Sequence, residues 1–401
     1  MFKAYKTELD ASKKQITMFM QHLGCARWAY NWGLAKKTAA FEKDKTCLSS
    51  TDLGKELVIL KKTDFPWFYK SSKCAPQYAL RDLDQAFNNF FRRCKEGAKE
   101  KGYPNFKSKK NEKQSFKLDG WISVKGNYIK LPVIGKVKLK EVGYIPKDHE
   151  IVSATVSKRA GKWFVSVLVE EPDKKYIPAK NAVIGVDLGI KAMATCSDGT
   201  VYANPKALKN NLKKLKRLHR QLSRKVDDSK NREKAKLKLA KLNYKISNIR
   251  KDALHKASSK IVNENQVIVL EDLKVSNMVK NHKLAQAICD VGFYEFRRQI
   301  EYKAKWYGRQ VIFADTFYPS SKLCSCCGWH NNTLTLKDRV FQCKNCDNKI
   351  DRDLNASLNL KSLHTGGSSG IYACEERSSE KKFSLSCSSK QESNFNSIFN
   401  I

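Results

Sequence analysis

Apolar residues recur along this chain at two different periods, and the switches between them mark its divisions. Ile16, Phe19, Leu23, Ala26 and Tyr30 return at helical spacing. Just ahead of them Ser12 and Gln15 form a capping box, so a helix is predicted to begin there, preceded by a short strand over residues 2–9. A second helix is predicted from Pro76, a favourable first-turn residue, through Leu80, Leu83, Phe87, Phe90 and Cys94. For the aromatic cluster FPWFY between the helices, packing is weighed above stacking on bases. From residue 121 to 170 the period becomes two: YIKL, KVKL, IVSATVS and WFVSVLVE read as strands, with turns at Gly135 and at Ala160-Gly161. This predicts a small β-sheet or barrel, left by a linker over 172–178.

After residue 180 the two periods alternate. The run VIGVDLGI, residues 183–190, reads as a strand covered on both faces that ends in Asp187. MATCS and TVYA form a hairpin about Asp198-Gly199. Leu208, Leu212, Leu215, Leu218 and Leu222 line one helix, and Leu239, Leu242, Ile246, Ile249 and Ala253 another. VDDSKNRE breaks between them, so the two should pair antiparallel with Lys and Arg outward. Residues 267–270 form a second buried strand ending in Glu271. Residues 282–307, with Phe293, Phe296, Ile300 and Trp306, read as one further helix, and 311–314 as a strand. Alternating strands and helices indicate an α/β layer fold.

Charge adds a partner to this picture. The 401 residues suffice for two or three domains, and they carry 77 Lys and Arg against 40 Asp and Glu, a net charge of +37. Self-repulsion of that size is relieved by phosphates, so nucleic acid is expected, and a backbone-binding role is favoured for the basic helical pair and for the RRCKEGAKEKGYPNFKSKKN run. No run of about 18 apolar residues and no signal peptide is evident. A cytoplasmic or nucleoid protein without membrane contact is the expectation, and thirteen cysteines there are not a disulfide framework.

Two sets of residues carry chemistry. Cys324 and Cys327, then Cys343 and Cys346, form two knuckles of two-residue spacing whose four thiolates complete a tetrahedral zinc site. With all four positions filled by protein, the zinc should be structural. Cys326 competes in register with Cys327 and His330 could substitute, but the spacing favours Cys324 and Cys327. Asp187, Glu271 and Asp353 would converge at strand ends and a helix start, where three carboxylates need cations. Two Mg²⁺ ions held between them would serve phosphodiester hydrolysis. Gly189 would allow close backbone approach near Asp187. Asp351 is the alternative third ligand, and an N-cap role is the competing account of either aspartate.

Taken in order, GVDLGI, VIVLEDL, the double cysteine knuckle and DRDLNAS resemble the split RuvC nuclease of the transposon-encoded TnpB proteins, relatives of type V CRISPR effectors. KAYKTEL, CARWAYNWGLA, ALRDLDQAFNNFF and GYPNFKSKK extend the likeness to about residues 1–362. The resemblance implies an RNase H-like RuvC nuclease domain (176–318 and 350–363) with a zinc-ribbon insertion (319–349). It also implies a wedge-type β-barrel (1–10 and 104–175) holding a helical recognition insert (11–103). By position, the family's catalytic acids fall on Asp187, Glu271 and Asp353, and its zinc thiolates on Cys324, Cys327, Cys343 and Cys346. The implied activity is Mg-dependent cleavage of double-stranded target DNA beside a short motif, directed by a guide RNA from the transposon end. The rivals are an RNA-guided repressor that binds without cutting and a metal-dependent transposase. Residues 364–401, Ser-rich and poor in aliphatics, are expected to be disordered.

Overall fold

A computed structural model describes residues 1–110, 114–146, 149–172, 178–335, 337–365 and 371–373. The chain divides into two compact units at Asp173/Lys174.

The first unit begins with β1 (Phe2–Asp10) and α1 (Lys13–Asp44), whose start is the expected capping box: the Ser12 hydroxyl accepts from the Gln15 N–H, and the Gln15 side chain accepts from the Ser12 N–H. The face predicted from spacing is the buried one, including Phe19, Leu23, Ala26 and Tyr30. Next comes α2 (Ser50–Lys62), a helix that apolar spacing did not reveal because it buries only Leu53 and Leu57. Its signal was the second capping box, Ser49 with Asp52. A short 3₁₀ turn, Pro66–Lys70, carries Phe68 into the core. Then α3 (Cys74–Lys95) starts two residues before Pro76, which lies in the first turn, where a missing N–H is no loss.

The strands β2 (Gln114–Leu118), β3 (Ser123–Lys125), β4 (Tyr128–Leu131), β5 (Gly135–Leu139), β6 (Glu150–Arg159) and β7 (Lys162–Glu170) follow. They pair antiparallel with β1 in the order β2-β6-β7-β1-β5-β4-β3. Alternate residues of β7, Trp163, Val165, Val167 and Val169, face a core shared with α1 and α3. Among the described residues β2 and β3 share no ladder, so hydrogen bonding makes a sheet and does not itself close a barrel. The 172–178 linker falls mostly outside the described residues.

The second unit opens with β8 (Asn181–Asp187), β9 (Ala192–Cys196) and β10 (Val201–Ala203), the last two joined by the turn at Asp198 and Gly199. The basic pair α4 (Ala207–Ser223) and α5 (Lys230–Glu264) packs Leu215 and Leu218 against Leu242, Ile246 and Ile249, as the spacing required. After β11 (Asn265–Glu271) and a single turn, α6 (Val275–Met278), the helix expected over 282–307 is broken in two. α7 (His282–Val291) ends and α8 (Phe293–Tyr307) begins at Gly292, whose left-handed φ of 82° no helix interior adopts. Then come β12 (Gln310–Ala314), the small hairpin β13 (Val340–Gln342) and β14 (Lys349–Asp351), α9 (Arg352–Thr365) and β15 (Ile371–Ala373).

The six-stranded sheet runs β10-β9-β8-β11-β12-β15, with β8, β11 and β12 parallel. Its central strands are apolar on both faces because both are covered. Ile184, Val186, Ile268, Leu270 and Phe313 meet α5 and α8, while Val267, Val269, Ile312 and Ala314 meet Leu360 and Leu363 of α9. The expected disordered tail begins inside α9, which runs to Thr365; residues 371–373 pair with β12, and the remainder lies outside the described residues. Among the described residues no helix is long and apolar enough to cross a membrane.

Candidate active site and metal centre

The register of two parallel strands places two of the three carboxylates. Val186 of β8 lies opposite Leu270 of β11, so the next residues, Asp187 and Glu271, end the two neighbouring strands side by side. Carboxyl ends of parallel strands are where open α/β sheets present their chemistry.

The third carboxylate arrives on α9, through a glycine that sequence reading overlooked. A β-carbon on Gly185 would stand 2.0 Å from the Ser357 carbonyl oxygen and 2.5 Å from the Lys361 nitrogen. Only glycine lets the helix backbone lie against β8 this closely. From that contact Asp187 is two strand residues onward, about 7 Å, and Asp353 one helical turn back, about 6 Å. Gly189, the expected point of close approach, is less crowded: its nearest atom would be the Ala192 carbonyl at 3.0 Å.

The two aspartates of IDRD separate by role. Asp351 Oδ1 accepts the backbone N–H groups of Asp353 and Leu354 at 2.9 and 3.1 Å, which makes it the cap of α9 and leaves the Asp353 carboxylate free of that duty. Asp353 has the Arg352 guanidinium 3.6 Å away. Burial, followed by the charges of Glu271 and Asp353, raises the Asp187 carboxyl well above its ordinary range, against a smaller opposing pull from Arg352. Burial also raises Glu271, opposed by its hydrogen bond from Ser320 and reinforced by Asp353. Two half-buried carboxyls that resist ionising beside a third describe a place for cations. The carboxylates are not drawn as close together as the thiols. Among the described residues, the four cysteines are the only group of three or more metal-type side chains with all donor atoms within 4.8 Å of one another.

Those cysteines are the four read from the spacing. Cys324 Sγ lies 3.7 Å from Cys346 Sγ, and Cys327 Sγ 3.5 Å from Cys343 Sγ. A tetrahedron of four Zn–S bonds has edges of about 3.8 Å, so the sulfurs fit zinc. Side-chain N–H groups of Asn345 and Asn348 point at Cys327 and Cys324, and the Asn345 backbone N–H points at Cys343. The Asn345 amide is the main cause that brings the Cys327 thiol down to about 6, ready to ionise. Cys326 is exposed and, like His330, stands outside the cluster.

Three further residues tie the two centres together. Ser320, 4 % exposed, donates to Glu271 Oε1 at 2.6 Å. Asn359 donates to the carbonyls of Ser320 and Leu323, both at 2.7 Å. Asn355, fully buried, donates to the Leu323 carbonyl and accepts the Ser325 N–H. The available signal was two asparagines four apart on an otherwise apolar helix face.

A family described as "Probable transposase" matches residues 164–282, "Cas12f1-like, TNB domain" matches 293–360, and "Helix-turn-helix domain" matches 1–46, where this chain has one strand and one long helix. A Streptomyces pristinaespiralis protein named "Putative RNA-guided DNA endonuclease" is 36% identical over 362 residues, 89% of this chain and 88% of the relative. InsQ of Escherichia coli K12, which carries the same description, is 31% identical over 93% of this chain and 94% of its own length. A "TnpB-like protein" of Methanocaldococcus jannaschii is 32% identical over 47% of this chain and 72% of its own.

Proposed function

Since the chain belongs to the TnpB family, we propose that it is an RNA-guided DNA endonuclease of a transposable element. The observation that carries the reading is the meeting of Asp187, Glu271 and Asp353 from β8, β11 and α9, with Asp187 and Glu271 resisting ionisation as they stand. In this reading the second unit is an RNase H-like RuvC domain with a zinc ribbon. The sheet of the first unit, although its ladders among the described residues do not close it into a barrel, would serve as the wedge-type domain, with α1 to α3 as its recognition insert.

Asp187, Glu271 and Asp353 would hold Mg²⁺, which when bound supplies charge stabilisation at the attacking and leaving oxygens of a phosphodiester. Each protein group then has a definite task. Ser320 fixes one oxygen of Glu271, so that the other would be the one to hold an ion. Asp351 caps α9 and so holds Asp353 in register. Arg352 offsets part of the negative charge that the three acids concentrate. Cys324, Cys327, Cys343 and Cys346 would bind zinc as a fold-forming ion with no open position. The guide RNA would read sequence by pairing, while the protein holds backbone phosphates through the basic excess of +37.

The test is purification with RNA transcribed from the 3′ end of the gene, followed by incubation with plasmids bearing a matching target beside a randomised flank. Cleavage that needs Mg²⁺ and vanishes in Asp187→Ala is the expected result. Target binding without cleavage would replace the nuclease by a guided repressor, and absence of bound RNA would overturn both in favour of a transposase.

A further inference from the structure

One face of α1 is not explained by the core. Gly24, Arg27, Trp28, Asn31 and Trp32 fall at helical spacing on it, and with Trp67 of the 3₁₀ turn they line an open cleft of about 510 Å³. Trp28 and Trp32 stack with rings 5.8 Å apart and nearly parallel, at 11°, and Trp67 stands edge-on to Trp28 at 86°. Packing accounts for Trp28, which meets Phe65 and Phe68, but leaves Trp32 half-exposed and Trp67 38 % exposed. Aromatic rings bordering a concave opening mark a binding surface more often than chance exposure does.

The surrounding charge says what would fill it. Arg27 lines the cleft and has no hydrogen-bond, ion-pair or ring partner among the described residues. Asn31 clamps the backbone of Lys107, donating to its carbonyl at 3.0 Å and accepting its N–H at 2.8 Å. That clamp ties the Lys107 backbone, at the start of the basic segment 107–110, to the α1 face that lines the cleft. Flat apolar walls next to the Arg27 guanidinium fit an unstacked nucleobase with its phosphate. Nor does anything in the backbone call for glycine at position 24: its φ is ordinary, and a β-carbon there would meet no atom within 4 Å. A glycine inside a helix costs stability relative to alanine, so the space it leaves is the feature to explain.

We propose that this cleft binds one unpaired nucleobase of the nucleic acid the protein carries, stacked on Trp28 and Trp32 with its phosphate at Arg27. The inference rests on the nucleic-acid reading above and adds a site to it. Gly24→Leu tests it by filling the cleft from a position where the fold tolerates a side chain, and Arg27→Gln removes the phosphate contact alone.

Both variants are compared with the wild-type protein as complexes with RNA from the gene's 3′ end. Melting is followed together with two affinities, that for the RNA and that of the assembled complex for a matching DNA duplex. Gly24→Leu is expected to melt no lower than wild type and to weaken one affinity about tenfold or more, with a smaller loss in Arg27→Gln. Loss in the RNA arm makes the base a guide base, and loss in the DNA arm makes it a DNA base. Ultraviolet crosslinks of that strand to residues 24–32 should disappear in Gly24→Leu. Wild-type affinities in both arms, with crosslinks retained, would overturn the cleft and leave the nuclease reading standing, the cleft then being free for a peptide. A wild-type protein that binds no nucleic acid would overturn both.

Discussion

Gly185→Ala is the smallest change that should separate folding from cleavage. The added carbon would sit 2.0 Å from a carbonyl oxygen, 2.5 Å from a backbone nitrogen and 3.1 Å from the Leu360 β-carbon. Two of the three obstacles are backbone atoms of α9, so no side-chain rotation relieves them. Ordinary contact requires the helix to retreat by on the order of 1 Å, and overpacking of this kind costs roughly 1–3 kcal/mol. α9 keeps Leu360 and Leu363 against the sheet, so the domain should still fold. Asp353 rides on the displaced helix, and about 1 Å of misplacement in a reacting constellation costs on the order of 100-fold in rate. The assay is plasmid cleavage by the RNA-loaded protein under Mg²⁺, with melting temperature and bound zinc measured on the same samples. Gly54→Ala is the control, because that glycine of α2 has nothing within 4 Å of its would-be β-carbon and should gain up to about 1 kcal/mol. Cleavage by Gly185→Ala within about threefold of wild type would refute the claim that this contact sets Asp353, given the 100-fold expectation.

Other outcomes follow from the same geometry. In the metal-free protein Asp187 and Glu271 hold protons more tightly than the unfolded chain does, so their contribution to stability is complete below the ordinary carboxylate range and falls as pH rises through their raised values. Asp187→Asn should flatten that decline, and Mg²⁺ should raise the wild-type melting temperature more at pH 8 than at pH 5.5; a variant with an unchanged pH slope would refute the assignment. Cys327→Ser should release zinc and lower the melting temperature, whereas Cys326→Ser should leave both as they are, read by metal content and calorimetry. Asp351→Ala should destabilise by about 1 kcal/mol through loss of a cap, with cleavage reduced but present, whereas Asp353→Ala should abolish cleavage without that loss.

Much of the site was legible because its residues stand where elements end. Asp187 and Glu271 terminate apolar runs, and an acidic residue closing a buried strand contradicts its own segment. The cysteine spacing encodes a geometry directly, and the sulfurs lie 3.5–3.7 Å apart in the pairs the structure brings together. What could not be read was each contact that depends on another element. Gly185 looks like any small strand residue until α9 lies on it. Ser320 acquires meaning only beside Glu271, and Gly292 divides a helix whose apolar period runs on unbroken through it. The α2 helix escaped because two buried leucines are too few to set a period.

The order of the chain becomes intelligible from these contacts. Glu271 and Asp353 are far apart in sequence, and the cysteine knuckles lie between them. Two asparagines of α9 hold the Leu323 carbonyl, one turn of chain before the first knuckle closes, and one of them also holds Ser320, which in turn holds Glu271. Fixing Cys324 therefore fixes the loop that both carboxylates lean on. Among the described residues the ribbon's buried cluster is Phe341, Cys324 and Cys343, with Trp329, Leu334 and Ile350 partly buried against it, too small an apolar core to keep that loop still unaided. Zinc binding energy, which in small domains is folding energy, would supply what the core lacks. An ion held there, taking no part in the proposed chemistry, would thus steady the contacts that run from the Leu323 loop to Glu271 and to α9, which carries Asp353, and that is a physical reason for a zinc-binding ribbon to stand at this point of the proposed nuclease.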